Sequence, residues 1–155
     1  ERVQATHVGA YSNTGDFAME TGAFTFADSA QRYEYGTVNA SLIVGLRAAL
    51  SLWKEIGAHN IWRRNLELAE HFAEGLRALG AEVLTSTPAA SIRTFRLPGV
   101  AYADVQSYLW SQHRLRLRGI YEGELNALRA SIHLYNAPEE VARALEAIER
   151  AKTHL

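Results

Sequence analysis

The sequence predicts an α/β (α+β) two-layer sandwich, a small open sheet with helices on one face. Three observations carry that expectation. Segments of helical and strand period follow in the order helix, helix, strand, strand, helix, strand, strand, helix. The apolar share, 48% of 155 residues with three Trp, seven Tyr and five Phe, suffices for one sizeable core. Gly57, Gly80 and the Pro98-Gly99 pair fall where the periodicity changes.

Residues 1–37 read as irregular, with Gly9, Gly15, Gly22 and Gly36 among small polar residues and Thr-Gly-x-Phe occurring at Thr14 and again at Thr21. A leader of that length without a period of its own is expected to pack on something else. Because the chain starts at Glu1 rather than Met, it is read as a fragment. Residues 38–56 form a helix that is apolar nearly all round through Leu46, then amphipathic, stopping at Gly57. Burial on every side would require a layer on each side of it. Residues 61–79 place Ile61, Trp62, Leu66, Ala69, Phe72, Ala73, Leu76 and Leu79 on one stripe of a second helix, which ends at Gly80.

Short strands are expected at 82–85 and 91–97, separated by Pro88, and a helix at 102–113. Strands at 114–118 and 125–134 follow, and then a helix from about Pro138 with Val141, Leu145 and Ile148 on one face. Asn136 and Glu139 have the spacing of a capping box around Pro138. The domain reading is therefore a leader at 1–37, a connecting helix at 38–57 and a compact domain at 58–155.

Composition excludes several chemistries. Sixteen basic and 17 acidic side chains leave a net charge of −1, so no bulk field favours nucleic acid or an anionic membrane surface. With no cysteine, this segment has no disulfide, no thiolate metal ligand and no cysteine nucleophile. No apolar run reaches the roughly 20 residues of a membrane span, and a cytoplasmic protein is expected.

Two places invite chemistry. Along 125–134, alternation sends Ala130, Ile132 and Leu134 to one face and Arg129, Ser131, His133 and Tyr135 to the other. An arginine fork on a polar sheet face matches a carboxylate in two parallel hydrogen bonds; the competing reading is a solvated arginine, or one paired with Glu122 or Glu124. The second place is Gly36-Thr37 just ahead of the first long helix. Its backbone N–H groups and the helix dipole suit a phosphate, unless Thr37 simply caps the helix.

Other features read as structural. His113, Arg114, Arg116 and Arg118 fit a solvated face better than a nucleic-acid platform. His133 reads as a hydrogen-bonded structural imidazole, and the six histidines include no metal-binding pair on one helix.

Residues 128–141, Leu-Arg-Ala-Ser-Ile-His-Leu-Tyr-Asn-Ala-Pro-Glu-Glu-Val, and residues 32–39, Arg-Tyr-Glu-Tyr-Gly-Thr-Val-Asn, together resemble two motifs of the class V aminotransferases. The likeness runs from about Tyr33 to the end, and implies the C-terminal small domain of a fold-type I pyridoxal-phosphate enzyme. Carried over, Arg129 would hold the α-carboxylate of an amino-acid substrate. Gly36 and Thr37 would touch the pyridoxal 5'-phosphate of the neighbouring subunit, which implies a homodimer with shared active sites. Desulfurases of the family carry a cysteine on the loop before the arginine strand. Here residues 119–126 read Gly-Ile-Tyr-Glu-Gly-Glu-Leu-Asn, so the resemblance points to the isopenicillin-N-epimerase-like branch. Only Lys54 and Lys152 are present, both near helix ends, so the Schiff-base lysine is expected upstream of Glu1 in a missing N-terminal cofactor domain. The implied role is amino-acid chemistry of aminotransferase, epimerase or carbon–sulfur lyase type, with the segment inactive alone. The alternative is a non-catalytic binding or dimerisation module of the same fold.

Overall fold

The computed structural model describes residues 3–34, 36–85 and 90–155. Pro88, the expected strand separator, lies outside them. Two compact units, Glu1–Ser51 and Leu52–Leu155, divide within the first long helix.

In the first unit, isolated bridges Asn13↔Phe26 and Ala18↔Ala23 fold the glycine-punctuated leader back on itself. The two Thr-Gly-x-Phe segments bring Phe17 and Phe24 into a stack at 6.2 Å, and Phe26 meets Phe24 edge-on at 4.9 Å. A 3₁₀ turn, Ala30–Tyr33, is capped by Ser29, whose hydroxyl accepts from the Gln31 N–H. Helix α1, Ala40–Ile56, begins two residues later than expected, with the Asn39 side chain accepting from the Ser41 N–H. Thr37 is therefore not its cap. Nor is α1 buried: Leu42, Ile43 and Val44 are 71%, 56% and 67% exposed, so the two covering layers expected for it are not supplied by the described residues.

The second unit is the predicted sandwich. Strands β1 (Glu82–Val83), β2 (Ile92–Arg96), β3 (Arg118–Ile120) and β4 (Ala127–Ser131) form an antiparallel sheet in the order β1-β2-β4-β3. Helices α2 (Ala58–Ala78) and α3 (Tyr102–His113) lie against it, and α4 (Pro138–His154) packs along both. Phe72 of α2 meets Phe95 of β2 edge-to-face at 6.0 Å in a core shared with Leu76, Val105, Leu109, Leu128, Val141 and Ile148. Where α2 crosses α4, a Cβ on Gly75 would lie 2.3 Å from Leu145 Cδ1, so the absent side chain sets the approach.

Several boundaries differ from expectation. The buried stripe of α2 is Ile61, Leu68, Ala69, Phe72, Ala73 and Leu76, while Trp62 is 60% exposed: it points to the helix flank beyond the core. Residues 114–117 are not strand, because Arg114 takes the left-handed conformation (φ 53°) that ends α3. Its N–H donates to Trp110 O, that of Leu115 donates to Leu109 O, and β3 starts only at Arg118. The fourth strand is likewise shorter than 125–134, since Asn126 (φ 44°) and the 3₁₀ turn Glu122–Glu124 precede it. At α4, Glu140 rather than Glu139 reaches back, its carboxylate accepting from the Ala137 N–H at 2.9 Å; Asn136 instead accepts from the His133 N–H.

Candidate functional site

Arg129 sits on β4, hydrogen-bonded to β2 on one side and β3 on the other. Its neighbours Leu128 and Ala130 enter the core, so pleating turns Arg129 to the sheet face opposite the helices, as alternation predicts. Across the ladder it faces Thr94 of β2 and Arg118 of β3. The salt-bridge reading is corrected: Glu122 pairs with Arg118 at 2.8 Å, and among the described residues Arg129 has no acidic partner. Nor is it a freely solvated arginine, being half-buried with its Nε enclosed and without a hydrogen-bond acceptor. An enclosed N–H donor left unpaired is uncommon and costly unless a ligand or water completes it.

A cleft of about 500 Å³ opens at this point, a volume suited to a small molecule. Arg129, Arg116 and Arg118 line it with Tyr102, Tyr121 and Ser131, and no carboxylate lines it. The helix and the loop forming its walls are joined by Asn126, whose Oδ1 accepts from the Tyr102 N–H at 2.8 Å and whose Nδ2 donates to Val100 O at 3.0 Å. That side chain thereby supplies the missing cap of α3 from outside the helix. Gly119 admits the Tyr102 ring, since a Cβ there would lie 2.4 Å from Cε2. Just beyond the rim, its own backbone N–H and the Arg118 guanidinium hold the Glu122 carboxyl below the ordinary value, outweighing desolvation.

The cleft exposes what pattern reading missed. Arg116 and Arg118, read as a solvated strip, converge with Arg129; the available signal was strand pairing, which no single segment reveals. His133 is not a fully hydrogen-bonded imidazole, because its Nδ1 is buried without a partner while its ring lies 5.0 Å from that of Tyr135. Neither lysine lines the cleft: Lys54 is exposed on α1, and Lys152 Nζ donates to Leu79 O at the end of α2. In the first unit Gly36 is half-buried, Thr37 is exposed, and a Cβ on Gly36 would meet nothing within 4 Å.

The model of the aminotransferase class V family matches residues 8–144. The chain belongs to this family. A cysteine desulfurase from Yersinia pseudotuberculosis is 30% identical over 141 residues, covering 84% of this chain and 34% of that protein. Among solved structures, an apo cysteine desulfurase from Thermococcus onnurineus NA1 superposes with a TM-score of 0.82 at 25% identity, over 98% of this chain and 40% of its own. The cystine C–S lyase C-DES, in complex with its reaction product cysteine persulfide, gives 0.76 at 27% identity, over 95% and 38%. The chain thus spans about a third of the length of the curated relatives it matches. The likeness to class V structures supports the small-domain fold expected from the two motifs.

Proposed function

We propose that this chain is the substrate-carboxylate-binding part of a pyridoxal-phosphate-dependent enzyme acting on an amino acid. The observation that carries it is the enclosed, unpaired Nε of Arg129 in an arginine-lined cleft, at the position where the family motif holds the substrate acid. Class V membership supports the cofactor. The described residues fit its surroundings rather than its covalent anchor, since Arg129 suits the substrate acid and no amine lines the cleft. Gly36 and Thr37 would approach the cofactor phosphate of a neighbouring subunit in a homodimer. That role fits two findings: Asn39, not Thr37, caps α1, and nothing nearby in the unit demands glycine at residue 36. The lysine would come from sequence preceding Glu1.

When bound, the cofactor supplies an electron sink for a carbanion at the substrate Cα. Arg129 would take the carboxylate in two parallel hydrogen bonds and so fix which Cα bond faces the ring. The Tyr102, Tyr121 and Ser131 hydroxyls offer further donors around the same space. Similarity to a C–S lyase and the lack of any cysteine at 119–126 favour elimination without a protein persulfide, in a cytoplasmic enzyme; transamination and epimerisation use the same anchor.

Arg129→Lys in the intact protein keeps the charge and loses the fork. A rise in KM of about 10- to 100-fold is expected for amino-acid substrates, the value of one charge-assisted hydrogen bond, with cofactor binding retained. Unchanged KM refutes the assignment. The lack of a cleft-lining lysine also suits a non-catalytic module. Borohydride-reducible visible absorbance on adding pyridoxal 5'-phosphate to the intact protein would exclude that reading.

A further inference from the structure

We propose that the cleft selects an amino acid whose side chain carries a second acidic group, held by Arg118 with Arg116. The inference rests on Arg129 being the α-carboxylate anchor, and deepens that reading to a substrate class. One guanidinium fork matches one carboxylate. Here three guanidiniums line one space, and only Arg118 is offset by an acid, Glu122, which stands outside the lining.

Register adds an independent argument. Arg118 and Arg129 are directly opposed across the β3–β4 ladder, where like charges repel and lower the stability of the pair. A one-residue change in either strand's pattern would separate them onto opposite faces. The arrangement therefore concentrates positive charge on one side of the sheet at a structural cost, which a ligand with two anionic groups offsets and a singly charged one offsets only in part. Half-exposed Arg118 can turn from Glu122 toward such a ligand, since an exposed ion pair holds its partner only weakly. Gly119 keeps the adjacent wall slim enough for the Tyr102 ring, leaving the opening between Arg118 and Arg129 clear of a side chain from the residue between Arg118 and Ile120. The enclosed volume, about 500 Å³, fits a dicarboxylic amino acid rather than a polymer.

The test uses the intact protein with and without pyridoxal 5'-phosphate. Calorimetric titration of the cofactor-free protein with propionate, succinate and glutarate measures the value of the second acid directly. The loaded protein is then titrated with L-alanine, L-aspartate and L-glutamate, following the cofactor's visible absorption. The diacids are expected to bind at least about tenfold more tightly than their monoacid counterparts, a margin that narrows toward unity in Arg118→Gln and shrinks with added salt. Arg129→Lys is expected to weaken monoacids and diacids alike. Equal affinities for monoacids and diacids in the parent protein, with Arg129→Lys still weakening both, would overturn the second-acid site while leaving the anchor in place. Loss of no affinity in Arg129→Lys would overturn the anchor and this inference together. A diacid preference that survives in Arg118→Gln and in Arg116→Gln would also overturn it.

Discussion

Arg93 is the most deeply enclosed charged group of the described residues, 2% exposed on β2, and replacing it with methionine tests what it holds together. Its Nε donates to Ala69 O at 3.1 Å, Nη1 to Ala90 O at 2.5 Å, and Nη2 to Glu70 Oε2 at 3.1 Å. The guanidinium thus ties the sheet to α2 through a main-chain carbonyl and a carboxylate. Rupturing a fully buried ion pair costs about 3–5 kcal/mol. Here the loss is smaller: Glu70 is 42% exposed and keeps Arg77 at 3.0 Å, while methionine refills much of the volume. About 2–3 kcal/mol is expected, the value of one to two charge-assisted hydrogen bonds. Hydrogen exchange of the intact protein reads this locally, as protection in α2 and β2 lowered about 30- to 150-fold. Protection within about twofold of the parent would refute the reasoning, showing that the apolar isostere serves equally well.

The same network makes acid stability asymmetric. Arg77, and then Arg93, hold the Glu70 carboxyl below its ordinary value against desolvation. A depressed carboxylate contributes stability above its unfolded pKa and loses it as pH falls through the folded one, so parent and Glu70→Gln unfolding midpoints should converge in acid. A constant difference across that range would contradict the assignment. Glu140→Gln should behave likewise at α4, where the Ala137 N–H first and the Asn136 amide second hold the Glu140 carboxyl low; its destabilisation should vanish in acid melts. Gly119→Ala should lower stability by about 1–3 kcal/mol, because a Cβ at 2.4–2.5 Å displaces the Tyr102 ring. Tyr102→Leu should restore part of it in thermal melts, and failure of that rescue would separate the two residues.

Much of the architecture was legible because its signals are local. Helix α3 spans the expected residues, Gly80 (φ 76°) ends the α2 region in the left-handed conformation, and Ala130 and Ile132 are buried as alternation requires. The end of α3 was not legible, because arginine rather than glycine occupies its left-handed cap, and cross-chain contacts rather than propensity select that conformation. The start of α3 was hidden for a related reason: its capping amide, Asn126, lies 24 residues downstream. At the site, Arg129 was visible through pleat and motif. Its convergence with Arg118 required the register of β3 on β4, and the unpaired Nε required three-dimensional packing.

The placement of Arg129 on a strand paired on both sides also bears on how such a cleft diversifies. Its Cβ cannot shift without breaking the ladder, so the anchor is inherited as a fixed point. The edge strand that carries Arg118 is three residues long and runs into a turn with three consecutive-region positive φ values, at Gly123, Glu124 and Asn126. Insertions or substitutions there re-shape one wall while the opposite wall stays put. A lineage can therefore exchange one substrate tail for another by editing a rim of fewer than ten residues, with the shared α-carboxylate still read by the same untouched arginine.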